Sequence, residues 1–119
     1  MVRLIEAIDI AIDLAKKSDG PFKHGCLILS GKKIISRGNN HTRKNIGTLS
    51  VHAEMEALWR IYDSDTYDNK KAIVIRVTES GKLASSRPCH MCMAALSQHG
   101  VQTIVYSTRC GGISMERIS

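Results

Sequence analysis

The 119-residue sequence predicts an α/β fold, and three observations carry that prediction. From Ala72 to Tyr106 an apolar run, a helical segment and a second apolar run follow one another. That order calls for a right-handed crossover between two parallel strands. Ahead of it, residues 26–37 have the pattern of a β-hairpin, and Val2 to Lys17 has apolar residues at helical spacing.

In the first element Leu4, Ile8, Ala11, Ile12 and Ala15 fall on one side of a helix, and Arg3, Glu6, Asp9, Asp13 and Lys16 on the other. Ser18-Asp19-Gly20-Pro21 ends it, by turn chemistry and by a proline that cannot continue a helix. His24 then falls in a loop. Cys26-Leu27-Ile28-Leu29 and Lys33-Ile34-Ile35-Ser36-Arg37 are short strands flanking the turn Ser30-Gly31-Lys32. Gly38-Asn39-Asn40-His41 breaks the pattern and opens a polar loop to Ser50. A second helix is predicted from His52 to Tyr62, with Ala57, Leu58 and Ile61 toward the core and Glu56 and Arg60 paired outside. After a polar loop, Lys71 to Val77 reads as a buried strand because it is rich in β-branched residues. Thr78 to Arg87 is a loop. A third helix runs from Pro88, suited to a first helical position, to His99, and Gly100 closes it. Val101 to Tyr106 is the next strand.

The length and a hydrophobic content of 43% suit one domain over residues 1–119 with one core. No run approaches the ~18 apolar residues of a membrane span. Glu6, Asp9 and Asp13 make the N-terminus unlike a signal peptide, so a cytoplasmic protein without a membrane partner is expected. In such a chain four cysteines read as a metal pair plus two reduced thiols, Cys26 and Cys110. The net charge of +6 and pI of about 9.4 suit phosphate-bearing partners, whether nucleotides or polynucleotides. The basic residues are scattered, however, and a solvated surface accounts for them equally well. Aromatic residues make up 4% of the chain, little for a base-stacking platform; Trp59, Tyr62, Tyr67 and Tyr106 read as packing or loop residues. Met55, Met91 and Met93 read as fillers around the site.

The chemistry concentrates in His52-Ala53-Glu54 and Pro88-Cys89-His90-Met91-Cys92. Together these hold one imidazole, two thiols and one carboxyl, the inventory of a catalytic zinc with three ligands and a separate proton carrier. Cys89 and Cys92 stand three apart and share a face if a helix begins at Pro88. Both segments then lie at helix N-termini, where partial positive charge favours thiolates.

This pair of motifs resembles the H-x-E and P-C-x-x-C signature of the cytidine and deoxycytidylate deaminase family. The resemblance implies a three-layer α/β/α sandwich around a mixed sheet in strand order 2-1-3-4-5. The chain ends thirteen residues after Tyr106, so the fold is expected to be shortened at its C-terminus, with the family's last helix and strand curtailed or missing and a sheet edge exposed. By resemblance, the activity is hydrolytic, zinc-dependent deamination of a cytosine nucleoside or nucleotide, with His52, Cys89 and Cys92 as ligands of Zn2+ and Glu54 as the proton carrier. Gly38-Asn39-Asn40 is similar to a G-x-N segment that contacts the sugar, with Asn40 the match and Asn39 the alternative. The backbone of Ala53 and the Ser86 segment match positions that lie against the base. Arg87 departs from the glutamate often found there in tRNA-editing relatives. Lys23, Arg37, Arg43 and Lys44 are all candidates for a substrate phosphate. A homo-oligomer is expected, since small members of the family usually assemble.

Three rival readings stand beside this one. A deaminase acting on a base in RNA or single-stranded DNA would also suit the positive charge. A closed structural zinc, completed by Cys110, Cys26 or His90, would make the domain a binding module. A redox pair of Cys89 and Cys92 leaves His52 and Glu54 without a role.

Overall fold

In a computed structural model of the chain, the residues described are 3–18, 23–31, 33–39, 41–42, 50–51, 57, 70–78, 80–88 and 90–118. In chain order they form α1 (Leu4–Lys16), β1 (Lys23–Ser30), β2 (Lys33–Asn39), β3 (His41–Thr42), β4 (Ser50–Val51), β5 (Lys70–Val77), β6 (Leu83–Ala84), α2 (His90–Gln98), β7 (Val101–Ser107) and β8 (Ile113–Arg117). A six-stranded sheet runs β2-β1-β5-β7-β8, with β6 attached to β5; β3 and β4 pair separately. Within the large sheet only β5 and β7 are parallel. Counted over the five long strands, this is the expected order 2-1-3-4-5 in a mixed sheet.

Strand alternation sorts the core into two layers, since successive side chains point to opposite faces. Cys26, Ile28, Ala72, Val74 and Ile104 meet Leu96 of α2 and Ala57 on one face. Leu27, Leu29, Ile73, Ile75, Val77 and Val105 meet Ala7, Ala11 and Ala15 of α1 on the other. The result is the expected three-layer α/β/α sandwich. Ala57 is helical and buried, as predicted; the rest of the predicted helix from His52 to Tyr62 lies outside the described residues.

The face that α1 buries is an alanine stripe, flanked by the half-buried Ile8 and Ile12, while Leu4 is exposed. Small residues let the helix sit on β1 itself. A Cβ on Gly25 would meet the Ala11 carbonyl oxygen and come within 2.6 Å of the Ala15 nitrogen.

Both strands of the hairpin are longer than the sequence pattern suggests, and His24, Gly38 and Asn39 all belong to strands. Pairing of β1 with β5 from Lys23↔Val77 to Ser30↔Lys70 propagates strand geometry into residues whose local chemistry signals loop. The short β6 lies in a predicted loop for the same reason, paired through Arg76↔Ala84. Helix α2 closes as predicted, with Gly100 at φ 84°. The Lys70 ammonium donates to the His99 carbonyl at 2.6 Å, satisfying one of the helix's last acceptors.

At the C-terminus the fifth strand is present. Residues 108–112 form a tight turn, with Gly111 at φ 82° and Thr108 N–H donating to Gly112 O at 2.9 Å, and β8 folds back antiparallel on β7. The last strand, expected to be curtailed or missing, is therefore in place, and a turn rather than a helix connects it to β7. β8 is one edge of the sheet, opposite β2, and Ile113 and Met115 on it are exposed. Among the described residues, no helix is long and apolar enough to cross a membrane.

Candidate active site

Two of the predicted site residues are among those described, Ser86 and Cys92. His52, Ala53, Glu54, Cys89 and Asn40 lie outside them. Cys92 is buried in the first turn of α2, 1% exposed, on the helix that packs Leu96 into the same cluster as Ala57. The helical segment to which Ala57 belongs follows His52-Ala53-Glu54 in the chain. Ala57 and Leu96 of α2 pack on the same face of the sheet. Ser36 of β2 fastens Ala57 there, its hydroxyl donating to the Ala57 carbonyl. Met91 is 76% exposed and so does not fill the site as expected, because position 91 falls on the solvent side of α2. Met93 packs against the cluster as expected.

Ser86 is buried, and its hydroxyl is committed to the ends of β5 and β7. Its oxygen lies 2.6 Å from the Val74 carbonyl and 2.8 Å from the Ser107 Oγ. It also accepts the Ser107 N–H at 2.8 Å, and the Ser86 N–H donates to the Ser107 carbonyl at 3.0 Å. Ser107, fully buried, accepts the Arg76 N–H at 3.0 Å and donates to the Ala84 carbonyl at 2.6 Å. With that proton placed, the one Ser86 proton is shared between Val74 O and Ser107 Oγ. Two hydroxyls thus bind the loop ahead of α2 to the carboxyl ends of the parallel strands, where α/β sheets place their ligand sites.

The residue after Ser86 is tied down separately. Arg87 makes a two-pronged ion pair with Glu116, Nε to Oε2 and Nη2 to Oε1 at 3.0 Å each, and the Tyr106 hydroxyl donates to Oε2 at 3.0 Å. The Arg87 hydrogen bond, and after it that of Tyr106, holds the Glu116 carboxyl below its ordinary value. The Arg87 guanidinium is held above its own by the same hydrogen bond from Glu116. The sequence marks neither Ser107 nor Glu116 and offers Tyr106 only as a packing or loop residue, because no local pattern signals a partner 10, 21 or 29 residues away.

Of the candidate phosphate contacts, Lys23 and Arg37 pair with Val77 and Leu27, which face α1. The Lys23 ammonium donates to the Ser18 carbonyl at 3.2 Å, on that same side. Asn39 likewise turns to α1, its amide donating to the Leu14 carbonyl at 3.4 Å. Arg43 and Lys44 lie outside the described residues.

The donor set suits zinc on its chemistry: one imidazole and two thiols are ligands this borderline-soft ion accepts in tetrahedral sites. Cys92, buried at the start of a helix whose Leu96 packs with Ala57, has the shielded thiol such a site requires.

A family model described as the cytidine and deoxycytidylate deaminase zinc-binding region matches residues 1–108. No curated protein matches the chain in sequence. Several solved structures share its fold. Cytidine deaminase from Burkholderia pseudomallei superposes with a TM-score of 0.72 at 20% identity, over 98% of this chain and 94% of that one. Cytidine deaminase from Mycobacterium tuberculosis gives 0.67 at 18%, over 99% and 92%. The dCMP deaminase of cyanophage S-TIM5, in apo form, gives 0.68 at 22%, over 92% and 86%, and has also been solved in complex with dCMP and dUMP.

Proposed function

Because the chain belongs to the cytidine and deoxycytidylate deaminase family, we propose that it is a zinc-dependent hydrolase acting on a cytosine nucleoside or nucleotide, with residues 1–119 working as one domain. The reaction adds water across the ring carbon that bears the amino group, breaks the carbon–nitrogen bond, releases ammonia and leaves the uracil product. In this reading His52, Cys89 and Cys92 would hold Zn2+. When bound, the ion lowers the pKa of water and so supplies a nucleophile near neutral pH. Glu54 accepts the first proton of water and delivers it to the ring nitrogen, then takes the second from the hydroxyl now on the ring carbon and gives it to the amine, which leaves as ammonia as the carbonyl forms. A carboxylate can accept and return a proton in this way. Asn40 contacts the sugar; Asn39, turned to the α1 side, is set aside. The backbone of Ala53 and the segment at Ser86 line the base, the latter made rigid by the Ser86–Ser107 hydrogen bonds. Arg43 and Lys44 are the better phosphate candidates, since Lys23 and Arg37 share a face with residues packed on α1.

The observation that supports this reading most is Cys92, buried in the first turn of α2 on the helix whose Leu96 packs into the same cluster as Ala57. A zinc-loaded chain should release ammonia from at least one of cytidine, deoxycytidine and dCMP, with guanine, adenosine and short oligonucleotides as comparison substrates. Glu54→Gln should lower that rate by about 10²-fold or more, the usual scale of proton-transfer catalysis, while zinc content stays unchanged. Full activity in Glu54→Gln overturns the reading. Activity confined to oligonucleotides and falling steeply with salt would move it to a polynucleotide substrate. Self-association belongs to the same reading, with the exposed Ile113 and Met115 on the edge strand as the surface it would cover; light scattering measures it.

A further inference from the structure

The entry to α2 is braced by the C-terminal hairpin. Pro88 and Ser86 are buried on either side of Arg87, and Pro88 has its φ fixed, so little slack separates Arg87 from the start of the helix. The paired hydrogen bonds between Arg87 and Glu116 set orientation as well as distance, which a single point contact cannot do. Tyr106 of β7 holds the same carboxylate, and the register that sets Ile104 opposite Glu116 and Tyr106 opposite Ser114 brings both side chains to the α2 face. Glu116 stands beyond residue 108, where the family match ends.

We propose that Glu116 and Tyr106 are positioning residues that act through Arg87: they hold the turn into α2, and with it Cys92, so that the C-terminal hairpin governs how firmly the chain retains its zinc. This rests on the zinc-deaminase reading above. The hairpin touches neither substrate nor metal in this scheme. It acts by restricting the strand-to-helix turn.

Release of zinc to a coloured chelator tests it, in the full chain loaded with the metal. The variants are Glu116→Gln, Arg87→Lys and the reversed pair Arg87→Glu with Glu116→Arg. Glu6→Gln is the control, since it removes the exposed Arg3–Glu6 pair on α1. Glu116→Gln and Arg87→Lys should release zinc about two- to fivefold faster, the size an exposed ion pair supports, and lower kcat with KM unchanged. The reversed pair should recover most of the loss, and Glu6→Gln should match wild type. If Glu116→Gln does not fold, Tyr106→Phe is read the same way, since it removes one hydrogen bond and keeps the ring. Wild-type release rates in these variants, or equal acceleration in Glu6→Gln, overturn the brace and leave the deaminase reading standing. A chain that keeps zinc but releases no ammonia from any substrate removes the deaminase reading, and the release rates still decide the brace.

Discussion

Replacing Ser107 by alanine should destabilise the protein out of proportion to the single oxygen removed. The Ser107 hydroxyl is fully buried and serves two backbone groups on different strands, the Arg76 N–H and the Ala84 carbonyl, besides its contact with Ser86. Alanine takes away a partner of each. A buried polar group left without its partner costs about 1–3 kcal/mol; with Arg76 and Ala84 only half-buried, the lower end applies to each, or about 2 kcal/mol in all. For 119 residues the entropy of unfolding is about 250 cal/mol/K, so each kcal/mol shifts Tm by about 4 °C. Ser107→Ala should therefore lower Tm by about 8 °C in a thermal melt followed by circular dichroism. Because the same hydroxyl steadies Ser86, the variant should also release zinc faster than a variant destabilised at least as much in the α1 layer. A fall in Tm below about 2 °C would refute the view that Ser107 joins β5, β6 and the loop ahead of α2.

Gly25→Ala provides the α1-layer comparison. Its Cβ collides with the backbone at Ala11 and Ala15, which cannot rotate aside, so a loss of about 3 kcal/mol is expected, or about 12 °C in Tm. Gly111→Ala meets no atom within 4 Å and carries only the cost of a left-handed residue, about 1 kcal/mol, measured in the same melts. Glu116 has a folded-state pKa below its unfolded one, so its contribution to stability is present above the ordinary glutamate range and is lost as pH falls through the folded value. An NMR titration of its carboxyl carbon should show the lowered midpoint, and Arg87→Gln should raise it. Stripping the metal with a chelator should abolish ammonia release and lower Tm, and added Zn2+ should restore both, because a ligand bound only by the folded chain stabilises it.

By itself the sequence determined the class of fold and the chemical inventory. Two periodicities, helical in residues 4–16 and alternating or continuously apolar in the strands, were enough for the order of α1, β1, β2, β5, α2 and β7, and the parallel pair of β5 and β7 followed from a strand, a helix and a strand. The donor set of imidazole, thiols and carboxyl was legible because ligand chemistry demands particular side chains at short spacing. Tertiary structure decided what depends on distant partners. It extended β1 and β2 through His24 and Asn39, since pairing across the sheet overrides local turn propensity. It turned the buried face of α1 onto alanines, since Gly25 lets the backbones approach. It returned the last strand antiparallel through a five-residue turn and so brought Glu116 to Arg87, 29 positions away. Short-range patterns record which groups are present and which way a segment is wound. Which groups meet across the sheet is settled only when the whole chain packs.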